Sequence, residues 1–475
     1  MASSSRTAAD IYMPSKKKRR WNTDKLVEID GRTLEGGGQL VRNALCLSAL
    51  TGIPIKIENI RGARSSGGGL KAQHLACVNW LAHASGALCD GAVKGSKTLL
   101  FEPGKSVNKP LPCEHSPAYK KVMRGQGPVY ECRVDCETVG AIGLTLQATL
   151  PYILFSRFPS DIPVRLTMTG GTNVSGSPSF EYIQQVFLPT LHSIGFPEIT
   201  AKLIRRGWSQ GPARPGEITL TIPPRKGLQL PAFTLCPTDA TAKSTQPTHI
   251  HATILAPATL HTHFRGVIKA ALSYHFPDLP SDSISLTSEG SLHEKRMYLL
   301  LVADIPMQKD RQDSHPSSST VTPPQKTFKL ASDWLYERKI RSPERAATEI
   351  AEWVSKNLAD EVNSGAYVDS HMRDQLKIFQ ALAEGHSKVF PGLDAEGEVR
   401  EPSLHTRTAE WIAKIMMGAK FDAEDGCEGV GFGVGEKDAF NPSDEELDKY
   451  WREREEKELN AVRGIEKSMQ TLDVK

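Results

Sequence analysis

Glu35 stands directly before three glycines and Gln39 in the run Glu35-Gly36-Gly37-Gly38-Gln39, and two further glycine clusters follow, Ser66-Gly67-Gly68-Gly69 and Gly170-Gly171-Thr172-Asn173. A triple glycine removes Cβ atoms and lets backbone N–H groups approach a ligand or another segment closely. Arg42 follows the first cluster, and Arg61, Arg64 and Lys71 bracket the second. Guanidinium forks match phosphate oxygens, so three arginines and a lysine gathered near one turn could neutralise a triphosphate. The chain has no G-x-x-x-x-G-K-[ST] run, which excludes the standard phosphate loop of NTPases. Two His-x-His pairs, His249/His251 and His261/His263, lie in Thr/Leu/Ile-rich runs. On a strand each pair shares one face and could hold a metal, although half-exposed polar strand positions are the commoner reading. Cys132 and Cys136 have no second pair at zinc-ligand spacing, and the eight cysteines read as small buried hydrophobes in a reducing compartment.

These side chains need elements to hold them. Leu40, Ala44, Leu47 and Leu50 recur at helical spacing over 40–50, with Gly52 and Pro54 closing the helix before the strand-like IPIKIENI. Ile29-Asp30-Gly31 thus leads through the first glycine cluster into a helix, bringing the Glu35 carboxylate and a helix N-terminus to one place. A second amphipathic helix is expected over 70–84, and TLLFEP, YECRVDC, PVRLTMTG and EITLTIP read as strands. The alternation predicts an α/β or α+β protein with several small sheets.

At 475 residues the chain suggests about two to four structural units at about 150 residues each. No run approaches the ~20 apolar residues of a membrane helix, and no membrane association is expected. The net charge is only +3, from 58 Lys and Arg against 55 Asp and Glu, which excludes a surface that coats polyanions. That total conceals a basic first part: residues 21–130 hold 14 bases against 8 acids. Residues 1–24 form a polar tail carrying Lys16, Lys17, Lys18, Arg19 and Arg20, a run suited to a nuclear import receptor. Residues 307–326 are Ser/Pro-rich and read as a disordered loop, and 436–475 as a charged helical extension in which twelve of the fifteen residues Asp444 to Glu458 are charged.

IDGRTLEGGGQLVRNALCLSALTG, then IRGARSSGGGLKAQHL, then GGTN, DQL, LHTRTA and CEGVG, in that order between Ile29 and Gly431, resemble the RNA 3'-terminal phosphate cyclase family. The resemblance implies repeated units of two helices on a four-stranded sheet forming a large domain, with a smaller inserted α/β domain. It places the large domain at 25–240 and 359–435 and the insert at 241–358, which puts the Ser/Pro loop away from the chemistry.

The family's reaction uses ATP and a divalent metal, magnesium or manganese, to convert an RNA 3'-terminal phosphate into a 2',3'-cyclic phosphodiester. The resemblance makes His405 of LHTRTA the nucleophile that takes AMP from ATP. Glu35 would hold the metal. Arg42, Arg61 and Arg64 would bind ATP phosphates or the RNA end. Gln73, His74, Gln147, Asp374 and Gln375 would line the nucleotide pocket. His371, three residues before Asp374, stands where the family commonly has an aromatic. The expected partners are ATP and RNA ending in a 3'-phosphate, and the expected location is the nucleus (nucleoplasm), with the cytoplasm second. The alternative is a non-catalytic cyclase-like protein of ribosome biogenesis or RNA-end binding. That class typically loses the histidine and alters GGGQ, whereas this chain has both.

Overall fold

The computed structural model describes residues 25–433 apart from 65–66, 105–112, 114–115, 126, 157, 160, 226–228, 238–245 and 308–326. The basic run Lys16–Arg20, the Ser/Pro-rich segment from 308 and the charged extension 436–475 lie outside the described residues.

Helix α1 (Gly38–Thr51) is buried along its length from Gln39 to Thr51: beyond the polar Gln39, Arg42 and Asn43, small and apolar residues occupy every side of it. A helix apolar all round belongs in a core, and α1 packs against three other helices. Its unit runs β1 (Val27–Asp30), α1, β2 (Ile55–Glu58), α2 (Ala72–Ser85), β3 (Leu88–Asp90) and β4 (Leu99–Glu102). The sheet order is β1-β2-β4-β3, with β1 parallel to β2 and the other pairs antiparallel. Gly52 ends α1 in the left-handed region at φ 76°, as its position after the periodic run predicts.

The same topology recurs twice. The second unit has β5 (Lys120–Arg124), β6 (Gly127–Asp135), α3 (Ile142–Phe155) and β7 (Val164–Gly170). Then α4 (Phe180–Tyr182) passes through a wide turn, Ile183–Phe187, into α5 (Leu188–Ser193), followed by β8 (Thr200–Arg205) and β9 (Gly216–Ile222). Its order, β5-β6-β7-β9-β8, is that of the first unit with one extra edge strand. The third unit begins at β10 (Thr234–Leu235), whose parallel partner β15 lies far along the chain.

Between them come β11 (His249–Ala256), α6 (His261–His275), β12 (Ile284–Gly290), β13 (Tyr298–Pro306), β14 (Thr327–Leu335) and α7 (Pro343–Asn363). The third unit then resumes with α8 (Ser370–Leu382), β15 (Glu384–Val389), α9 (Leu404–Met417), β16 (Lys420–Phe421) and β17 (Gly426–Val430). Its sheet, β10-β15-β17-β16, repeats the order of the first. The interpolated sheet runs β12-β11-β13-β14. Strand β13 is buried on both faces: Leu299, Leu301 and Ile305 pack with Phe264, Ile268 and Ile350 of α6 and α7, whereas Tyr298, Leu300 and Val302 join the main core. A strand covered on both sides reads as a continuous apolar run, and YLLLVADIP is one.

This is the expected fold class, and the four strand-like runs fall in β4, β6, β7 and β9. Two of three local expectations change. His261 and His263 open helix α6 and not a strand, because the following Phe264, Ile268 and Leu272 form a buried helical stripe. His249 and His251 do share one strand face, where both ring systems bond Ser285 Oγ, at 2.8 and 2.7 Å. Among the cysteines, Cys89 on the short edge strand β3 is exposed and Cys236 is partly so, while the other six are buried. No described helix is long and apolar enough to cross a membrane.

Candidate active site

The first turns of α1, α2, α3, α8 and α9 open onto one cavity of about 720 Å3. Glu35, Arg42, Arg61, Arg64, Gln73, His74, Gln147, Asp374, Gln375 and His405, the ten residues singled out above, all line it. Helix N-termini present unpaired N–H groups and positive dipole ends, and α1 has neither a side-chain cap nor an acidic first turn to satisfy them. Gly38, its first residue, has no room for a side chain: a Cβ there would strike His74 Nε2 and lie 2.7 Å from Arg42 Nη1. The glycine run is thus needed for close packing of the two side chains against the helix start.

His405 is the second residue of α9. Its Nδ1 lies 2.7 Å from Gln39 Oε1, and Gln39 Nε2 donates to Asp374 Oδ2 at 2.8 Å. Because the Gln39 amide gives its N–H to the carboxylate, its oxygen faces the imidazole, which must place its proton on Nδ1. Nε2 is left with a free lone pair. The His405 side chain is 50% exposed; partial desolvation lowers its pKa below the ordinary imidazole value, with Asp374 acting against and Arg64 and Arg42 in the same sense. Burial raises the Asp374 carboxyl, and the Gln39 bond partly counters it.

Arg42 is buried and donates from Nε to Gln147 Oε1 at 2.8 Å. Burial brings its pKa down to about 10, so it keeps its charge at neutral pH. Arg61 is also buried and donates to Gly69 O at 3.2 Å, whereas the Arg64 side chain is 44% exposed and pairs with Glu35. His74 accepts from Lys71 N at 3.1 Å, and burial with Arg42, Arg61 and Lys71 nearby pushes its pKa down to about 3. It is therefore a neutral ring with its proton on Nε2. Gln73 accepts from Ala141 N at 3.0 Å and Gln375 donates to His371 O at 3.2 Å, so each also ties a helix terminus together.

Glu35 suits a hard cation. Its side chain is 5% exposed, and apart from the Arg64 pairing neither oxygen accepts a well-formed hydrogen bond. No cluster of three potential metal ligands occurs among the described residues. A single carboxylate fits an ion that takes most of its oxygens from water and bound phosphates, as magnesium does.

Several lining residues were not assigned from the sequence. Gln39 was visible inside GGGQ, and only its distance-spanning role between His405 and Asp374 was hidden. Tyr298, Asp333, Trp334, Glu337 and Trp353 come from the interpolated segment, so that segment forms a cavity wall. Tyr298 donates to Asp333 Oδ2 at 2.9 Å and contacts Ser179 Oγ at 2.6 Å. His371, its side chain 62% exposed, lies 3.9 Å from Asp333; desolvation by the surrounding chain lowers its pKa, but the carboxylates of Asp333, Asp369 and Asp374 outweigh this and raise it.

A family model described as RNA 3'-terminal phosphate cyclase matches residues 33–423. The chain belongs to this family. Proteins carrying that name include one from Caldivirga maquilingensis, 30% identical over 401 residues covering 84% of this chain and 94% of the relative. One from Drosophila melanogaster is 29% identical over 428 residues, 86% of this chain and 98% of its own. One from Pyrobaculum aerophilum is 28% identical over 415 residues, 86% of this chain and 99% of its own. The cyclase motifs quoted above supply α1, α8 and α9 with the side chains that meet at the cavity.

Proposed function

We propose that this member of the cyclase family converts an RNA 3'-terminal phosphate into a 2',3'-cyclic phosphodiester at the expense of ATP. The observation that carries this reading is the Asp374–Gln39–His405 relay, which leaves Nε2 free beside Arg42, Arg61, Arg64 and Lys71. Nε2 of neutral His405 attacks the α-phosphorus of ATP, the bond to pyrophosphate breaks, and AMP stays on the ring nitrogen. The ring gains positive charge in this step, and Nδ1–H donates more strongly to Gln39 Oε1. Arg42, Arg61 and Arg64 offset the growing charge on the leaving pyrophosphate. A divalent cation held by Glu35 and phosphate oxygens would supply further charge neutralisation.

An oxygen of the RNA 3'-phosphate then attacks the AMP phosphorus, the P–N bond breaks, and His405 returns to its neutral form. The 2'-hydroxyl loses its proton as its oxygen bonds to the activated terminal phosphorus, and AMP leaves. Since this attack is intramolecular, orientation by the arginines supplies much of the advantage. The run Lys16–Arg20 supports import into the nucleus.

The test is incubation with α-labelled ATP and magnesium. Wild type should acquire a covalent label that His405→Asn lacks, and RNA ending in 3'-phosphate should be cyclised by wild type alone. Binding of such RNA with no label on His405 would instead establish the non-catalytic reading.

A further inference from the structure

The second transfer constrains where the RNA lies, given the function proposed above. As the bond from His405 to phosphorus breaks, the incoming phosphate oxygen must approach from the opposite side, the place pyrophosphate has just vacated. The cations suited to pyrophosphate then also hold the RNA terminal phosphate, and the rest of the strand must leave over the edge that carries them. Arg64 and Lys71 are the exposed cations at that edge.

Immediately beside it lies the turn joining β3 to β4. Leu70 N donates to Ser96 O at 2.9 Å, Gly95 N to Leu70 O at 2.8 Å, and Ile60 N to Lys97 O at 2.9 Å. The chain on both sides of the glycine cluster is thereby stitched to this turn. Gly69, at φ 85°, abuts Gly95 O so closely that no side chain fits between them. Lys94 and Lys97 are exposed on the turn, and Val93 beside them is 62% exposed. None of Lys71, Lys94 and Lys97 is ion-paired among the described residues, whereas nearby Arg32 and Lys56 are neutralised by Asp30 and Glu58. Asp90, at the start of the turn, pairs with none of them.

We infer that Lys94 and Lys97 form a track for the RNA sugar-phosphate backbone, gripping phosphodiesters upstream of the reacting end while Arg61, Arg64 and Lys71 hold the terminal phosphate. This inference rests on the proposed function, and it assigns the RNA chain, not the nucleotide, to the β3–β4 turn.

The test compares wild type with Lys94→Gln/Lys97→Gln in the full chain, without ATP. The probes are an eight-nucleotide RNA ending in 3'-phosphate and a nucleoside 3'-monophosphate, which has no upstream phosphodiester. For single strands each neutralised phosphate contributes about 0.7 to the slope of log affinity against log salt. Two lost contacts should make the slope shallower by about 1.4 and weaken octamer binding about 25-fold at about 0.1 M salt. Mononucleotide binding, and labelling of His405 by ATP, should not change.

An octamer affinity or salt slope equal to wild type overturns the track. So does an equal loss for the mononucleotide, which would place the lysines at the terminal phosphate or in the fold. Failure of wild type to label His405 would refute the ATP chemistry and leave the binding comparison intact.

Discussion

Replacing Gln39 by methionine should slow the first chemical step without unfolding the protein. The side chains are similar in size, and the fully packed surroundings of α1 accept a similar volume. Two bonds disappear, one of 2.7 Å from His405 and one of 2.8 Å to Asp374. In the proposed reaction the His405 bond matters most to rate, because the ring would be neutral before attack and cationic after it. A hydrogen bond to a charged group contributes about 1.5–3 kcal/mol, so adduct formation should fall about 10- to 150-fold. Rapid-quench measurement of α-phosphate labelling against ATP concentration separates this loss from weaker binding, and the loss should lie in the limiting rate. A second variant, Gln39→Glu, restores an acceptor for His405. Its carboxylate would face that of Asp374 at about the same 2.8 Å. The repulsion between two ionised carboxylates there is about 6 kcal/mol at an effective dielectric of about 20, so the pair should hold one proton between them. Gln39→Glu should recover part of the rate, with its acid limb moved to higher pH. A Gln39→Met rate within about threefold of wild type, or a loss confined to ATP affinity, would refute the relay.

Three other changes follow from the same geometry. Adduct formation should rise with pH through a midpoint below that of ordinary imidazole, since the proposed nucleophile is neutral His405; Arg64→Gln removes a charge that lowers that midpoint and should move it upward, and an unmoved or lower midpoint counts against the assignment. Gly38→Ala drives a methyl into His74 and Arg42, so kcat/KM for ATP should fall at least about tenfold, or about 1.4 kcal/mol, while the thermal midpoint stays within a few degrees. Lys377, 1% exposed, bridges Glu410 at 2.8 Å and Asp425 at 3.0 Å, and Asp425 also keeps Arg373 at 2.6 Å, so Lys377→Met leaves Glu410 alone without its partner and should cost about 1–3 kcal/mol in urea unfolding; a cost below about 0.5 kcal/mol would show that the bridge is immaterial.

Local pattern made the helices and strands legible. The expected helix over 40–50 is the centre of α1, and Gly52 ends it where a left-handed residue is needed. Amphipathicity over 70–84 gives α2 within two residues. Chemistry was legible only in part. Glycine–arginine spacing pointed to phosphate, yet His405 is one histidine in a polar helix start and acquires meaning only from the family motif or from Gln39 at 2.7 Å. That contact joins residues 366 positions apart, and no periodicity encodes it. Tyr298, Asp333 and Trp353 were hidden for the same reason: alternation predicts that a strand is buried, but not which of two cores each face meets. The two His-x-His pairs show the converse, identical spacing on a strand and on a helix, distinguished only by the apolar stripe downstream of the second pair.

The third unit is split, with β10 ending at Leu235 and α8 beginning at Ser370. During synthesis the first two units are complete before the ribosome reaches the residues that finish the third, and domains generally fold as they emerge. Glu35, Arg42 and Gln147 are therefore in place while Asp374 and His405 have still to be made. A chain interrupted between α3 and α9 has Glu35 and the arginines but lacks His405, the proposed nucleophile. Closing β10 against β15 across the intervening residues costs only about 2 kcal/mol more than closing a ten-residue loop, since that entropy grows with the logarithm of length. The interruption thus costs little for its length and orders events in time: the half of the cavity that carries Glu35 and the arginines is built first, and His405 arrives with α9.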